Sequence, residues 1–363
     1  MSLRVRRAAQ PLTERWRSVQ VQPRGATRLG ISFRPLQAEA MGLEPRATLA
    51  ALLEHPYAIV RLAALWNRME PDPDRFDPSH LDWQVEAAER AGKQVILAVG
   101  AVKNFGYPEF FVPQHRLPAP LPEGTLVSEA SHPELLQSAT GFVGRVVERY
   151  RGHDSIVAWQ VEHEAVDPLG IEHYWRLTTG FVKREMAEVE RLDPSRPILL
   201  NGFLPMSAPV AAQQWWRTRD QGDSLTLAEE VAGIVGIDVY PCHALGAAGG
   251  LTVYLDARES AWRERARRVV MRAGTRSRRL IISEGQAEPW EAVTTPPSPA
   301  GRVMASCPPE RVIENYNRCM ALARESGGAL EAYLFWGAEY WLARQQGGDG
   351  SYLGAFERIL AND

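Results

Sequence analysis

Short aliphatic runs alternate with longer amphipathic segments from residue 28 onward, and this alternation constrains the fold more than any other feature of the sequence. Most runs are apolar at consecutive positions, which is typical of strands in a parallel sheet that is covered on both faces. Strands that alternate with helical segments indicate repeated βα units. The eight runs are RLGISF (28–33), AIVRLA (58–63), QVILAVG (94–100), SIVAWQVE (155–162), PILLNG (197–202), GIVGIDVY (233–240), RLIISE (279–284) and EAYLFW (331–336).

The segment after residue 132 illustrates the helical part of a unit. Its apolar residues recur every three or four positions, so they form one stripe along a helix. His132-Pro133-Glu134 predicts the start of this helix, and Gly152 predicts its end. The stripe consists of Leu135, Ala139, Phe142, Val143, Val146, Val147 and Tyr150.

Eight βα units predict an α/β protein with a (β/α)₈ TIM barrel, because a doubly wound sheet rarely has eight strands. No linker divides the chain, so we expect a single catalytic barrel over residues 28–363, preceded by a polar N-terminal leader segment over residues 1–27. The Pro-rich segments at 108–122 and 289–309 each follow a predicted strand. We therefore expect them to be extended βα loops.

Composition and charge exclude several classes of protein. The formal net charge of the 363 residues is -3, and no basic cluster is interleaved with aromatic residues, so nucleic acid is not an expected partner. No run of about 18 apolar residues is present, so a membrane is not expected either. Three widely spaced cysteines, Cys242, Cys307 and Cys319, favour neither a disulfide framework nor a zinc site. Since the leader lacks an apolar signal-peptide core, we expect a cytoplasmic protein; its oligomeric state is not indicated.

Polar and aromatic residues stand at the ends of several predicted strands. In (β/α)₈ barrels the active site is built at the C-terminal ends of the strands. Each such residue, taken alone, is better explained as a salt-bridge partner, a loop anchor or a strand-end residue that meets solvent, but their number indicates a site. They are Arg61 on strand two, Glu162, His163 and Glu164 on strand four, Asp238 and Tyr240 on strand six, Glu284 on strand seven and Trp336 on strand eight.

Two carboxylates from strands four and seven suit the hydrolysis of a glycosidic bond. This chemistry needs one carboxyl group that stays protonated near neutral pH and another that stays ionised. Arg61 and Tyr240 are candidates to stabilise the charge of Glu284. From spacing alone, either Glu162 or Glu164 is the second carboxyl group.

Five motifs carry a resemblance to a known family. The chain is similar to glycoside hydrolase clan A, a group of retaining β-glycosidases on (β/α)₈ barrels that includes β-galactosidases, cellulases and mannanases. The motifs are RLAALWNRMEPDPDRFDPSHLDW (61–83), WQVEHE (159–164), DVYP (238–241) together with ISEGQ (282–286), and LFWGAEYW (334–341).

The resemblance implies a role for several residues. Glu164 would be the acid/base and Glu284 the nucleophile of a double displacement, with Tyr240 touching the nucleophile and Trp336 forming the floor of the sugar site. The implied substrate is a β-linked oligosaccharide or glycoside of glucan, galactoside or mannan type. The resemblance implies no cofactor and no metal.

His163 departs from the pattern of the clan, which usually has Asn before the acid/base Glu. That Asn is implied to bind the 2-hydroxyl of the sugar, and some mannan-cleaving members carry His instead. An imidazole also donates a hydrogen bond, but it has a different reach and a titratable charge. Strict alternation would separate His163 from Glu162 and Glu164, so we expect a twist or bulge at the strand end. The identity of the sugar stays open.

Aromatic and polar residues near the strand ends are further candidates for substrate binding. The indole of tryptophan stacks on the apolar C–H face of a sugar, but it packs equally well between barrel and helices. The candidate platforms are Trp336 and Trp290 and, with weaker support, Trp66 and Trp341. Gln286, Glu288 and Glu339 are candidates to bind sugar hydroxyls or, alternatively, loop backbone.

Three other functional classes have weaker support. HEAVD (163–167) is similar to the zinc motif H-E-x-x-H, but that motif needs a helix and a second His, whereas this segment follows a strand and has Asp167. A cofactor enzyme would carry a phosphate-binding glycine loop after a strand, and the sequence has none. A non-catalytic sugar-binding barrel would keep the aromatic residues, but it would not need both Glu164 and Glu284.

Overall fold

A computed structural model describes most of the chain. The described residues are 2–6, 10–73, 75–117, 119–168, 173–248, 251–257, 259–294, 301–325, 327 and 330–362. Residues 1 and 7–9 of the predicted leader, residue 118 of the first Pro-rich loop and residues 295–300 of the second lie outside the described residues.

Eight strands form a closed barrel, which confirms the predicted (β/α)₈ fold. They are hydrogen-bonded in the order β6-β7-β8-β1-β2-β3-β4-β5. Every apolar run of the sequence overlaps one of them, and β2, β5 and β6 are buried at each position, as consecutive apolar residues predict. The strands are β1 Arg28–Ser32, β2 Ile59–Ala63, β3 Gln94–Ala98, β4 Ile156–Gln160, β5 Ile198–Phe203, β6 Ile234–Val239, β7 Arg279–Gln286 and β8 Leu330–Trp336.

The chain divides into two compact units. The first unit comprises residues 1–58, 204–211 and 237–363, and in it β7 pairs in parallel with β8, and β8 with β1. The second unit comprises residues 59–203 and 212–236, and in it β2 pairs in parallel with β3, β3 with β4, and β4 with β5.

Helices follow the barrel strands along the chain. They are α1 Pro35–Ala40, α2 Pro45–Leu53, α3 Trp66–Met69, α4 Ser79–Arg90, α5 Pro133–Tyr150, α6 Thr179–Leu192, α7 Ala208–Thr218, α8 Ser224–Val231, α9 Glu259–Thr275, α10 Glu291–Thr294, α11 Pro309–Glu325, α12 Ala338–Gln346 and α13 Ser351–Leu360, with 3₁₀ turns at Glu14–Arg17 and Gln114–Arg116. The short strands outside the barrel are Ser2–Arg6, Gln10–Pro11, Leu126–Val127, Arg176–Leu177, Cys242–Ala248, Leu251–Asp256 and Arg302–Val303.

The predicted helix after residue 132 is α5, which begins after His132 and ends at Tyr150. All seven residues of the predicted apolar stripe are buried. Proline at the first position suits a helix start, because its missing N–H would have no partner there. Both the periodicity and the start signal therefore predicted this element correctly.

Part of the predicted leader contributes to the first unit. Ser2–Arg6 pairs antiparallel with Leu251–Asp256, which itself pairs with Cys242–Ala248. Trp16 in the first 3₁₀ turn is buried, and a Cβ added at Gly354 of α13 would lie 2.7 Å from its ring. The division of the chain at residue 27 stays a prediction.

Two further observations concern helix hydrophobicity and the cysteines. Among the described residues, no helix combines the length and hydrophobicity that a membrane span requires. The thiols of Cys242, Cys307 and Cys319 are buried and unbridged.

Candidate active site

The backbone after β4 carries the predicted acid/base residue. β4 ends at Gln160, two residues earlier than the apolar run suggested, and Glu162 and Glu164 have positive φ angles of 54° and 44°. A positive φ is uncommon for a residue with a side chain, and it persists only where the surroundings hold it. These two residues end the strand alternation, so the distortion expected at this strand end is present. Glu164 is 9% exposed.

Glu162 anchors the loop that follows β3. Its carboxylate accepts hydrogen bonds from the backbone N–H groups of Val102 (2.9 Å) and Lys103 (2.5 Å). A Cβ at Gly100 would lie 2.0 Å from the Glu162 nitrogen, so only glycine permits this approach. Glu162 therefore has a structural role, which favours Glu164 as the second carboxyl group of the mechanism.

A second buried carboxyl group, that of Glu185 on α6, interacts with Glu162. Burial raises the pKa of Glu162 to about 7, although the backbone N–H donors oppose the shift. Burial and the nearby charge of Glu162 together raise the pKa of Glu185 well above its usual range. Two carboxyl groups in one apolar environment disfavour each other's ionisation. This pair is not a feature that the sequence pattern indicated.

Asn201 on β5 connects the residues after β4. Its Oδ1 accepts hydrogen bonds from Gln160 Nε2 (3.1 Å) and from the backbone N–H of Glu164 (3.4 Å), and its Nδ2 lies 2.9 Å from Nδ1 of His163. Gln160 also donates to the backbone carbonyl of Glu162 (3.0 Å). Sequence reasoning missed Asn201, although it lies near the end of a barrel strand like the residues that were predicted.

Two buried cations belong to the same part of the second unit. Arg61 on β2 is fully buried; it donates to Gln160 Oε1 (3.3 Å), and its guanidinium lies 4.0 Å from the centre of the Phe105 ring. Lys103 donates from Nζ to the backbone carbonyl of Glu164 (3.2 Å). Burial, followed by the charges of Lys103 and Arg61, lowers the pKa of His163 well below its usual range. This shift favours the neutral form of the imidazole.

In the first unit, Tyr240 and Glu284 are in direct contact. The phenol of Tyr240, which follows β6, donates a hydrogen bond to Glu284 Oε2. Glu284 is 2% exposed and lies on β7, where the pairing with β8 shifts register between Ile282 and Gly285. Such an irregularity re-aims the side chains it contains. A Cβ at Gly285 would lie 2.1 Å from the Tyr333 ring, so glycine is required here too.

Trp290 and Gln286 lie near the same residues. The ring of Trp290 is 4.8 Å from that of Tyr240 at an angle of 36°, and its indole N–H donates to the carbonyl of Cys242. The Oε1 atom of Gln286 accepts from the backbone N–H of Cys242 at 3.5 Å. Trp290 is partly exposed, which is compatible with the predicted role as a sugar platform.

Trp336 is held against a buried ion cluster. The guanidinium of Arg34, which follows β1, lies 4.3 Å from the centre of the Trp336 ring. The guanidinium of Arg34 donates two hydrogen bonds to Glu288 (2.7 and 2.9 Å) and two to Glu339 (3.0 and 2.7 Å), and the backbone N–H of Arg34 donates a third to Glu339 (2.6 Å). The two carboxylates predicted as hydroxyl or backbone ligands therefore bind Arg34. Arg34 follows the end of the first strand. The expectation that polar residues at strand ends form the site could therefore have identified it.

The other two candidate tryptophans pack in the interior. Trp66 is fully buried, stacks on Phe142 with ring centres 5.6 Å apart and donates to Glu70 (2.9 Å). Trp341 is fully buried and donates to the carbonyl of Ala287 (2.9 Å). Both therefore agree with the alternative prediction, in which tryptophan packs between the barrel and the helices.

One family model matches part of the chain. Residues 47–181 match the family model described as β-galactosidase. The matched segment contains Arg61, His163 and Glu164. None of the curated proteins matches the chain.

Solved structures match the whole barrel at low identity. Xylanase 10B from Thermotoga maritima is 13% identical, with 93% of this chain and 95% of that chain covered and a TM-score of 0.57. Xylanase XynB from Paenibacillus barcinonensis, solved with a conduramine derivative, is 15% identical, with 98% and 99% covered and a TM-score of 0.55. Xylanase 10B from Thermotoga petrophila, solved with xylobiose, is 14% identical, with 94% and 98% covered and a TM-score of 0.54.

These comparisons confirm the resemblance that the sequence motifs indicated. The family match is to a glycosidase family, and the similar structures are glycosidase barrels. The likeness to xylanases establishes the fold of this chain. The β-galactosidase match agrees with the class of enzyme predicted from the sequence.

Proposed function

We propose that the protein is a retaining β-glycoside hydrolase that acts by double displacement on a β-linked oligosaccharide or glycoside. The observation that carries this proposal is the hydrogen bond from Tyr240 to the buried carboxylate of Glu284 at the end of β7. A phenol that donates to a carboxylate stabilises its ionised form. An ionised carboxylate is what a nucleophile needs.

In the first step, Glu284 attacks the anomeric carbon and the glycosidic C–O bond breaks. Glu164 gives its proton to the departing oxygen, and the sugar stays bound to Glu284 as an ester. In the second step, Glu164 takes a proton from water, the water oxygen bonds to the anomeric carbon, and Glu284 is released as a carboxylate. Retaining enzymes hold their two carboxyl groups about 5–5.5 Å apart.

The remaining predicted residues are proposed to bind substrate. His163 would contact the 2-hydroxyl of the sugar, and Trp336 and Trp290 would stack on apolar sugar faces. Arg61 and Gln286 would complete the polar contacts. No cofactor or metal takes part in the proposed steps.

The proposed substrate is a β-galactoside or a related β-linked glycan. The description of the matched family names β-galactosidase. The similar structures are xylanases, one of them solved with xylobiose, so β-xylosides belong in the test. Mannosides and glucosides also belong there, because the resemblance includes enzymes that act on both.

The test uses aryl β-glycosides of these sugars and their 2-deoxy-2-fluoro analogues. We expect one sugar to be cleaved, and the fluorinated analogue to add its glycosyl mass to the peptide that contains Glu284. Glu284→Ala and Glu164→Ala should each lower turnover by orders of magnitude with little change in thermal stability. Azide should partly restore turnover of Glu164→Ala, because a small anion replaces water without base assistance.

The matched control is Glu148→Ala, which removes an exposed carboxylate from α5 and should leave turnover unchanged. Sugar binding without release of the aryl group would overturn the proposal in favour of a sugar-binding barrel. Unaltered turnover in both Glu284→Ala and Glu164→Ala would overturn the assignment of the residues.

We also propose that the enzyme works in the cytoplasm. All three of its thiols are buried and unbridged, which suits a reducing compartment.

A further inference from the structure

A chain of hydrogen bonds in the second unit ends at the ring of His163. Arg61 donates to Oε1 of Gln160 (3.3 Å), Gln160 Nε2 meets Oδ1 of Asn201 (3.1 Å), and Asn201 Nδ2 meets Nδ1 of His163 (2.9 Å). The side chains are buried, with Asn201 3% and His163 5% exposed. The orientation of each amide decides which ring nitrogen of His163 carries the proton.

The orientation of Gln160 is fixed by neighbours that each have one hydrogen-bonding role. A guanidinium only donates, so the Gln160 atom that faces Arg61 must be the oxygen. A backbone carbonyl only accepts, so the atom 3.0 Å from the carbonyl of Glu162 must be the nitrogen. That nitrogen also faces Asn201, which must therefore present its oxygen.

A separate contact gives the same orientation for Asn201. Its oxygen faces the backbone N–H of Glu164 at 3.4 Å, and a backbone N–H always donates. The Asn201 nitrogen is therefore the atom that faces His163. Since an amide nitrogen donates and does not accept, Nδ1 of His163 must be the acceptor. A neutral imidazole that accepts at Nδ1 carries its proton at Nε2.

We propose that Asn201 is a positioning residue that fixes His163 in the Nε2–H tautomer, so that the ring presents a hydrogen-bond donor on the side away from Asn201. The consequence for the substrate rests on the proposed function: the Nε2–H group would donate to the oxygen of a sugar hydroxyl. Asn201 would thus give an imidazole the donor character of an amide at this position.

The tautomer itself is tested on the unaltered protein by long-range ¹H–¹⁵N correlation of the imidazoles. The chain has 8 histidines, and the signals that disappear in His163→Asn identify His163. We expect Nδ1 to have the shift of an unprotonated nitrogen and Nε2 that of a protonated one. A protonated Nδ1 would overturn the inference, whatever the activity of the enzyme.

The role of Asn201 is tested with Asn201→Asp, which keeps the size and the acceptor oxygens but cannot donate to His163. The carboxylate accepts from Nδ1, so the proton should move from Nε2 to Nδ1 and leave Nε2 as an acceptor; the same spectra would report this exchange of the two nitrogen shifts. If His163 serves the transition state as a donor, kcat should fall about 10²-fold, as for loss of one preorganised donor. Thermal unfolding shows whether the variant remains folded.

The matched experiment repeats Asn201→Asp in the His163→Asn background. An amide has no tautomer to shift, so the loss of kcat there should be a few-fold at most. Equal losses in both backgrounds would mean that Asn201 has only a structural role, and would overturn the proposal. If the fluorosugar labels no residue, the proposed function is wrong. The tautomer assignment would still hold, because the spectra do not depend on activity.

Discussion

Tyr240 donates a hydrogen bond to Oε2 of Glu284, and the ring of Tyr240 lies 4.8 Å from that of Trp290. The hydroxyl of Tyr240 therefore contacts a carboxylate, and its ring lies near an indole. Glu284 is almost fully buried, where a charged group depends on such donors more than it would in water. This arrangement gives Tyr240 a defined share in orienting the proposed nucleophile.

Replacing Tyr240 with phenylalanine should slow formation of the glycosyl-enzyme while the fold is retained. A hydrogen bond to a charged group contributes about 1.5–3 kcal/mol, which corresponds to roughly 10- to 100-fold in rate. The release of aryl alcohol in a single turnover measures this step directly. Tyr174→Phe is the control, because Tyr174 is 50% exposed and its loss should have no effect. An unchanged single-turnover rate for Tyr240→Phe would contradict the role assigned to the phenol.

The contrast between two tryptophans gives a second prediction. Trp336→Phe should raise KM roughly 10-fold, because a smaller ring stacks less well on a sugar. Trp66→Phe should leave KM unchanged but lower the free energy of unfolding by about 1–3 kcal/mol, since Trp66 is buried and loses its bond to Glu70. Urea unfolding and steady-state kinetics on both variants check this. The reverse pattern would show that Trp336 packs and Trp66 binds.

Arg34→Met tests the buried ion cluster. Its guanidinium is 2% exposed and binds the carboxylates of Glu288 and Glu339. Removing one partner of a buried ion pair leaves an uncompensated charge and costs about 3–5 kcal/mol. Arg90→Met is the matched control, because Arg90 forms an exposed pair with Glu86 at 3.5 Å, and such pairs contribute about 0–1 kcal/mol. Urea unfolding that shows equal effects for both variants would mean that the cluster contributes little.

The strands and the strand-end residues were predictable because their signals are local. Consecutive apolar residues indicate a strand covered on both faces, and the C-terminal strand ends of a barrel carry its site. These two rules located β4 and β7, and with them Glu164 and Glu284. The helix α5 was predictable from its period for the same reason.

The contacts around the site were not predictable, because they join distant positions or depend on local backbone geometry. Arg34 and Glu339 are separated by 305 residues, and no spacing rule pairs them. Glu162 turns to the backbone of Val102 and Lys103 because of its positive φ angle, which a count of alternating residues cannot anticipate. The partners of Asn201 likewise appear only when β4 and β5 are side by side.

The buried pair of Glu162 and Glu185 predicts a dependence of stability on pH. Their folded-state pKa values are raised, that of Glu162 to about 7 and that of Glu185 well above its usual range. Near pH 4 and below, the folded and the unfolded chain both hold the carboxyl protons of Glu162 and Glu185, so the pair causes no loss of stability. Between about pH 4.5 and pH 7 the unfolded chain has released protons that the folded protein still holds, so stability falls as the pH rises.

Glu185→Gln should remove most of this decline, because a neutral amide needs no proton to be buried beside Glu162. The free energy of unfolding of the variant should match that of the parent near pH 4.5 and exceed it at pH 7. Urea unfolding at intervals of pH measures the difference. Glu190→Gln changes an exposed residue of the same helix. Its free energy of unfolding should depend on pH in the same way as that of the parent. If the free energy of unfolding of Glu185→Gln also depends on pH as that of the parent does, Glu185 is ionised in the folded protein and its pKa is not raised.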